Sequence, residues 1–403
     1  MKGLRRALGL AAIALLWSGN AFGLGAVVTG DDTVVTASRT LVIRSADAVQ
    51  IVTQIRYRGT PDPLVWLLAI PNFNAPRDAG VVATLFPQGG LDELDTLTRP
   101  RLSGACEGMP TGMTQEILLA DQFGPAPAML PPVSFFPARE ILAGDLDDYL
   151  DGLGLTLDDA TRAAVTGVVD QNFMIAAVRI SPADIGFNRV DPLVALRYPL
   201  DAGDPVRLAL RPIAASVDGP ANLLLWVLDD QRMRVDTFRT EELDYAGVQF
   251  ISPSETNYVQ ALDMQVGVRQ TQMFVVEQAG PIAAGDINDN ALGEAVANSG
   301  AGFLTRLRAR PVAAAIANNL AIITLTPVGA APVSREHMVT GFNCGGPMPD
   351  PDMDVPDPAD MGPDAEVDAA PIEPELDMGQ EPTADAGSGG GGGGGACSAA
   401  PGL

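Results

Sequence analysis

The apolar and polar positions of residues 50–71 predict two β-strands joined by a tight turn. Over residues 51–58, isoleucine, threonine and tyrosine alternate mostly with glutamine and arginine, the period of a strand with one buried face. Residues 59–63 supply a glycine and two prolines for the turn. Residues 64–70 are apolar throughout, which predicts a strand covered on both faces. We expect one antiparallel hairpin that gives an edge-like strand and a central strand to the same sheet.

A second pair of segments repeats this order of patterns. Residues 206–211 alternate apolar side chains with arginine, and residues 222–228 are apolar and carry a tryptophan. The repeat fits either an old duplication or two antiparallel hairpins in one sheet system. Because the likeness is one of pattern and not of identity, we favour the two hairpins.

The remaining patterns predict short strands and short helices. Strands are expected at residues 33–36, 41–44, 133–141, 173–180, 192–198, 273–277, 303–310 and 320–325, and helices at 91–97, 146–150, 156–168, 257–268, 290–298 and 313–317. Thr156 and Asp159 form a capping box for one helix, and Asn288 or Asp289 caps another that ends before Gly300. The fold class is α+β and β-rich, with antiparallel sheets and a few short helices in one large domain that has room for two sub-sheets.

The strand predicted at residues 303–310 places three arginines on one face. Arg306, Arg308 and Arg310 alternate with apolar or small residues. This face is either solvated or a site for an anion, and a solvated sheet face is the commoner arrangement.

The first 23 residues predict a signal peptide. Lys2, Arg5 and Arg6 precede the apolar residues 7–17, and a small-x-small site ends at Gly23. The alternative is an uncleaved anchor helix, but the apolar run is shorter than a bilayer requires. We expect cleavage at Gly23 and export, to the cell surface or outer envelope or into the medium.

Charge divides the remainder into a domain and a tail. The net charge of −25 makes nucleic acid and anionic membrane surfaces poor partners. Between Pro347 and Asp385 there are thirteen acids and no lysine or arginine. Proline and like charge predict a disordered, extended spacer. The predicted organisation is a globular domain over residues 24–345, an acidic spacer over 346–386, and a glycine-rich end over 387–403.

The chain has three cysteines, Cys106, Cys344 and Cys397. In an exported protein an odd number indicates one disulfide and one thiol with another fate. We expect a Cys106–Cys344 disulfide that ties the last folded segment to the first sheet. The alternative is two unpaired thiols, because sequence spacing does not show proximity.

No sequence motif indicates catalysis or a cofactor. The chain has one histidine, His337, and no zinc-ligand spacing, nucleophile elbow, phosphate loop or dinucleotide fingerprint. A catalytic triad built on His337 is the less common explanation of a lone histidine. Residues 286–290 resemble the front of a calcium loop but lack the glycine and the final acid that such a loop requires. Trp66 and Trp226 lie in apolar runs and are expected in the core. We expect no catalytic, cofactor or metal residues.

The folded part resembles a bacterial family catalogued as domain of unknown function 2330. The resemblance rests on the order of the segments IRYRGTPDPLVWLLAIP, LDELDTLTRPRL, LVALRYP, LLLWVL and FLTRLRARP, and on residues 146–180, across residues 27–326. Members begin with Cys-Gly-Gly-Phe-Phe after the leader, where this chain has Leu-Gly-Ala-Val. The resemblance implies an exported protein and carries over no catalytic residue.

The C-terminal end is similar to the start of a myxobacterial-type sorting signal. The glycine-rich run and Cys397 match its first part, while the membrane helix and arginine cluster do not follow. Cys397 is either the processed or anchored residue or a free thiol, and membrane association is expected only through it.

Together these observations predict an exported, non-enzymatic envelope or cell-surface protein. Its partner would be an unknown protein or envelope component. The alternative is a secreted hydrolase with an acid/base carboxylate pair, which would require two carboxylates with perturbed pKa values in one pocket.

Overall fold

The computed structural model describes residues 24–30, 34–58, 63–71, 82–105, 113–117, 133–136, 141, 144–180, 193–200, 204–214, 223–252, 254–268, 273–310 and 322–341. It confirms a β-rich α+β fold. Among these residues no helix is long and apolar enough to cross a membrane.

The strands follow one another as β1 (Ala26–Thr29), β2 (Val34–Arg44), β3 (Ala48–Arg58), β4 (Leu64–Pro71), β5 (Val82–Leu85), β6 (Arg101–Ala105), β7 (Met113–Glu116), β8 (Val133–Phe136), β9 (Phe173–Ile180), β10 (Leu193–Pro199), β11 (Val206–Ala209), β12 (Leu223–Asp229), β13 (Met233–Val235), β14 (Arg239–Glu242), β15 (Phe250–Ser252), β16 (Glu255–Thr256), β17 (Met273–Pro281), β18 (Phe303–Ala309), β19 (Ile322–Pro327) and β20 (Glu336–Thr340).

The helices are α1 (Gln88–Thr98), α2 (Asp145–Asp151), α3 (Asp159–Val169), α4 (Arg211–Ala214), α5 (Tyr258–Val268) and α6 (Asn290–Ser299), with 3₁₀ turns at Tyr245–Gly247 and Ala284–Asp286.

The strands form two stacked sheet layers. The large sheet has the order β14-β17-β18-β12-β2-β3-β10-β5. Opposite it lie a four-stranded sheet, β1-β4-β9-β8, and a three-stranded sheet, β11-β19-β13. Their facing side chains, such as Ile51 and Ile55 of β3 and Trp66 of β4, share one apolar core. This packing of two sheets buries one face of each.

Helices and a small sheet cover the outer faces of these layers. Leucines and valines of α2 and α3 pack on the four-stranded sheet. Helices α1 and α6 pack on the outer face of the large sheet, where Trp226 is fully buried. Helix α5 and the sheet β20-β6-β7 cover the β17 end of that same face. Apolar surface is therefore buried on both sides of both layers.

Strands β3 and β4 do not form the predicted hairpin. Strand β3 pairs with β2 and β10 in the large sheet, while β4 pairs with β1 and β9 in the other layer. The hairpin prediction is wrong because the two strand patterns are also satisfied by strands in facing sheets, and Ile51, Ile55 and Trp66 are buried in the core between the layers. Strands β11 and β12 cross between layers in the same way.

The sheets are mixed and not purely antiparallel. Parallel pairing joins β12 to β2, β14 to β17 and β20 to β6. Strand β20 and its sheet were not predicted from the sequence. One capping prediction is also wrong: Asp158, and not the Thr156–Asp159 box, caps α3 by accepting from the Thr161 N–H at 2.8 Å. Asp289 caps α6 and Gly300 ends it with φ 70°, as predicted.

The first described segment is fixed by backbone contacts. The Trp66 indole N–H donates to the Leu24 carbonyl at 2.8 Å. Gly25 has φ 106°, and a Cβ there would collide with the Leu67 carbonyl oxygen. Only glycine fits this conformation and this close approach, so the entry of the chain into β1 is closely specified.

Candidate functional site

Charged side chains are buried on the outer face of the large sheet, where β17 and β18 meet α1 and α5. Glu277 of β17 and Arg306 of β18 have no exposed side-chain surface, and that of Arg308 is 3 % exposed. Every residue of β18 is buried. The expectation of a solvated arginine face is therefore wrong at Arg306 and Arg308, because α1 and α5 cover this face of the sheet.

Glu277 is the centre of these contacts. Its Oε2 accepts from Arg306 Nε at 2.6 Å, and its Oε1 accepts from Arg308 Nη1 at 3.4 Å. The Tyr258 hydroxyl of α5 also donates to Oε1. Three groups from two elements thus satisfy one buried carboxylate, as a buried charge requires. We call Glu277, Arg306, Arg308, Tyr258 and the α1 groups that bind Arg306 the buried ion network.

Arg306 connects this carboxylate to α1. Its Nη1 donates to Asp95 Oδ1 at 2.7 Å and to Thr98 Oγ1 at 3.1 Å. The same Thr98 hydroxyl accepts from the Trp226 indole N–H at 2.9 Å and donates to the Leu94 carbonyl at 2.6 Å. One guanidinium therefore joins two strands and the last turn of a helix.

A second buried arginine holds the middle of α1. Arg39 of β2 donates from Nε to Gln54 Oε1 at 2.7 Å and from Nη2 to Asp92 Oδ1 at 2.6 Å. Asp92 and Asp95 are three residues apart and lie on the same side of the helix. Helix α1 is thus paired to the sheet at two successive turns.

The acid between them binds a different element. Glu93 accepts from the backbone N–H groups of Asn288 and Asp289 at 2.7 and 2.6 Å, just before α6 begins. The hydrogen bond from the Asn288 backbone is the largest cause that lowers the pKa of Glu93. All three acids of the α1 sequence LDELD therefore have structural partners.

The charges of the network keep Glu277 ionised. Burial raises its pKa, but Arg306 and Arg308 outweigh burial, so its pKa lies below the usual range. Burial, followed by the charge of Glu277, raises the pKa of Tyr258 and keeps that hydroxyl a donor. A general acid needs access to substrate and a pKa near the working pH. Glu277 has neither, so the network orders the fold.

His337 adjoins the far side of the network. It lies on β20, and its ring stacks on Tyr245 with centroids 3.4 Å apart and an interplanar angle of 12°. Tyr245 in turn contacts Tyr258, with centroids 6.4 Å apart. Burial is the largest cause that lowers the pKa of His337.

Two recesses adjoin other parts of the fold. A small apolar recess lies between the sheet layers, lined by residues that include Leu208, Leu225 and Phe274. A groove lies between α2 and α3. Its carboxylate, Asp147, is paired with Arg162 at 2.6 Å.

The sequence-predicted site residues Gly23, Cys106, Cys344 and Cys397 lie outside the described residues. The described strand ends nearest to two of them are adjacent, because Ala105 pairs with Thr340 between β6 and β20. Within the described ranges, no group of three or more histidine, cysteine, aspartate or glutamate side chains could hold a metal ion.

Comparison with known proteins assigns no family. No protein-family model matches the chain, and no curated protein matches it. The crystal structure of baculovirus P35 matches at 8 % identity with a TM-score of 0.27, over 48 % of this chain. The match spans 64 % of that protein, less than two thirds of its length. A similarity of this degree assigns neither fold nor function.

Replacing Glu277 with glutamine should destabilise the protein by about 3 kcal/mol or more, because Arg308 and part of Arg306 lose a buried counter-charge. Chemical denaturation monitored by tryptophan fluorescence would measure this. Asp236→Asn is the matched control, since Asp236 pairs with Arg234 at 3.0 Å and both side chains are half exposed. It should cost less than about 1 kcal/mol. Equal losses for the two variants would contradict a structural role of the network.

Proposed function

We propose that this chain is an exported, non-enzymatic envelope or cell-surface protein whose acidic spacer holds a folded domain away from a surface. The carrying observation is the change of composition after β20. The last described strand ends at Thr340, and from Pro347 the chain has thirteen acids and no compensating base. Such a segment cannot bury enough apolar surface to fold alone, and its like charges favour extension.

Contacts of Leu24, the first described residue, are compatible with the predicted cleavage at Gly23. Leu24 packs against the core between the sheets, and its carbonyl accepts the Trp66 indole N–H. A mature chain that begins at Leu24 keeps this hydrogen bond. Cleavage even one residue later would remove this acceptor.

The buried ion network supports a non-enzymatic role over a secreted hydrolase. Glu277 and Asp95 are both bound by Arg306, and Glu277 has no solvent access. Asp229 has a pKa raised by burial, the direction expected of a general acid, but it lies 3.7 Å from Arg44. These carboxylates therefore act as partners for arginine. The partner of the protein would be another protein or an envelope component.

The resemblance to the domain of unknown function 2330 family remains part of this proposal. Two of the segments that carry it, LDELDTLTRPRL and FLTRLRARP, contribute Asp95 and Arg306 to one ion pair.

Intact mass of the protein from fractionated producer cells tests the surface proposal. We expect a chain that starts at Leu24, carries a lipid-sized addition at or near Cys397 and sediments with the envelope. The Cys397→Ser variant should appear in the medium, because it lacks the anchoring residue. An unmodified wild-type chain that ends at Leu403 and is free in the medium would overturn surface retention.

We also propose that Cys106 and Cys344 form a disulfide after export. Cys106 follows Ala105 directly, and Cys344 lies four residues beyond the Thr340 partner of Ala105. Paired strands are about 5 Å apart. Four residues can span at most about 14 Å, so Cys344 can reach the short Cα–Cα distance that a disulfide requires.

Tryptic mapping of the unreduced protein tests this disulfide. Trypsin places Cys106 in a peptide of residues 102–139, and both other cysteines in the peptide that follows Arg335. We expect the two peptides to be cross-linked in wild type and in Cys397→Ser, and separate in Cys344→Ser. A cross-link that survives Cys344→Ser, or free thiols at Cys106 and Cys344 in the unreduced protein, would exclude the pairing.

A further inference from the structure

Strand β20 is the last described strand, and it is held to the domain by a small set of contacts. It pairs with β6 through five residues, and Val339 enters the core with α5. Just before the strand, Arg335 donates from Nη1 to the carbonyls of Thr96 and Leu97 at 3.0 and 2.8 Å and so caps α1. Two further contacts are the parallel bridge between Thr340 and Gln249 and the His337 stack on Tyr245.

The protonation state of His337 decides what its buried nitrogen can do. Nε2 is buried and has no protein hydrogen-bond partner, while the ring is bonded to the Ser334 backbone. A neutral imidazole leaves Nε2 as an unpaired acceptor. Protonation makes both ring nitrogens donors, so that the buried Nε2 becomes a charged N–H without an acceptor. A buried charged donor without an acceptor is costly.

We infer that His337 is a pH-sensitive latch, whose neutral ring packs β20 onto the domain and whose protonation loosens β20 at the point where the chain leaves for the acidic spacer. Loosening would also release the Arg335 cap from α1. The latch is a property of the folded domain, so it does not depend on whether the protein is surface-attached.

The surroundings of His337 both raise and lower its pKa. Glu336 and Glu242 favour the protonated ring, but both are exposed and already pair with arginines. The arginine partners of these acids are Arg101, Arg232 and Arg335. On the other side of the stack, the charged or titratable groups that act on Tyr245 are Tyr258, Glu277, Arg306 and Arg308. With burial as the largest cause, the pKa of His337 lies below 6.5.

The sign of the pH dependence follows from this direction. Because the folded state binds the proton more weakly than the unfolded state, the contribution of His337 is fully present above about pH 6.5 and is lost as the pH falls through the folded pKa. Asp229 has the opposite effect on the pH dependence of stability, since its raised pKa makes folding more favourable as the pH falls. Glu93, Asp158 and Glu277 have lowered pKa values and lose their contributions only below about pH 4.5.

Hydrogen exchange on the full exported chain tests the latch. After correction for the intrinsic rate, the protection of residues 336–340 should fall between pH 7.5 and 5.5 by up to about 10-fold, the most that one histidine with an unfolded pKa of about 6.5 can contribute over this range, measured against residues 303–309 of β18 as the internal reference. His337→Gln and His337→Phe should remove this pH dependence, and the phenylalanine keeps a ring on Tyr245.

The single histidine allows a direct control in the wild-type protein. Its imidazole resonance should titrate below pH 6.5, and the loss of β20 protection should begin near pH 6.5 and level off below the imidazole midpoint. This measurement decides the question even if both variants fail to fold. Unchanged protection of residues 336–340 between the two pH values, an equal loss in His337→Gln, or a midpoint above 6.5 would overturn the latch.

Discussion

The ion pair between Arg306 and Glu277 is the constraint on which the packing of α1 and α5 on the outer face of the large sheet depends. Both side chains are wholly buried, and a buried charge left without its partner costs several kcal/mol. The sheet must therefore place β17 beside β18, and α5 must bring the Tyr258 hydroxyl to the same carboxylate. Helix α1 must deliver Asp95 and Thr98 to the other side of the guanidinium. Four elements are positioned by one pair of charges.

The same principle applies to the other charged side chains that join the helices to the large sheet and to each other. The arginines of β2 and β18 hold α1 through Asp92 and Asp95, and Glu93 of α1 holds the start of α6. Hydrophobic contacts alone allow neighbouring packings of a helix on a sheet, whereas charge pairs at defined positions favour one. We interpret the network as a device for specificity of packing.

Much of the fold could be predicted from local pattern, and the failures have physical causes. Apolar runs and helical spacing located β4, β12, α1 and α6, because burial and capping are local signals. The β3–β4 hairpin failed because a strand pattern does not reveal whether its partner lies beside it or across a core. The strand pattern alone favours a solvated face for Arg306. The signal for a buried partner is the pair of acids, Asp92 and Asp95, spaced three residues apart on the amphipathic helix α1. Strand β20 was missed because the SREHMVT stretch is polar and its pairing with β6 is distant in sequence.

A double-mutant cycle between Glu277 and Arg306 tests the central claim most directly. Free energies of unfolding would be measured for wild type, Glu277→Gln, Arg306→Met and the double variant, all at pH 7.5. If the pair positions α1 and α5 on the large sheet, the double variant loses less free energy of unfolding than the two single variants lose in sum. We expect a coupling of about 2 kcal/mol or more. Losses that add to within about 0.5 kcal/mol would show that the two charges act independently, and would contradict the account.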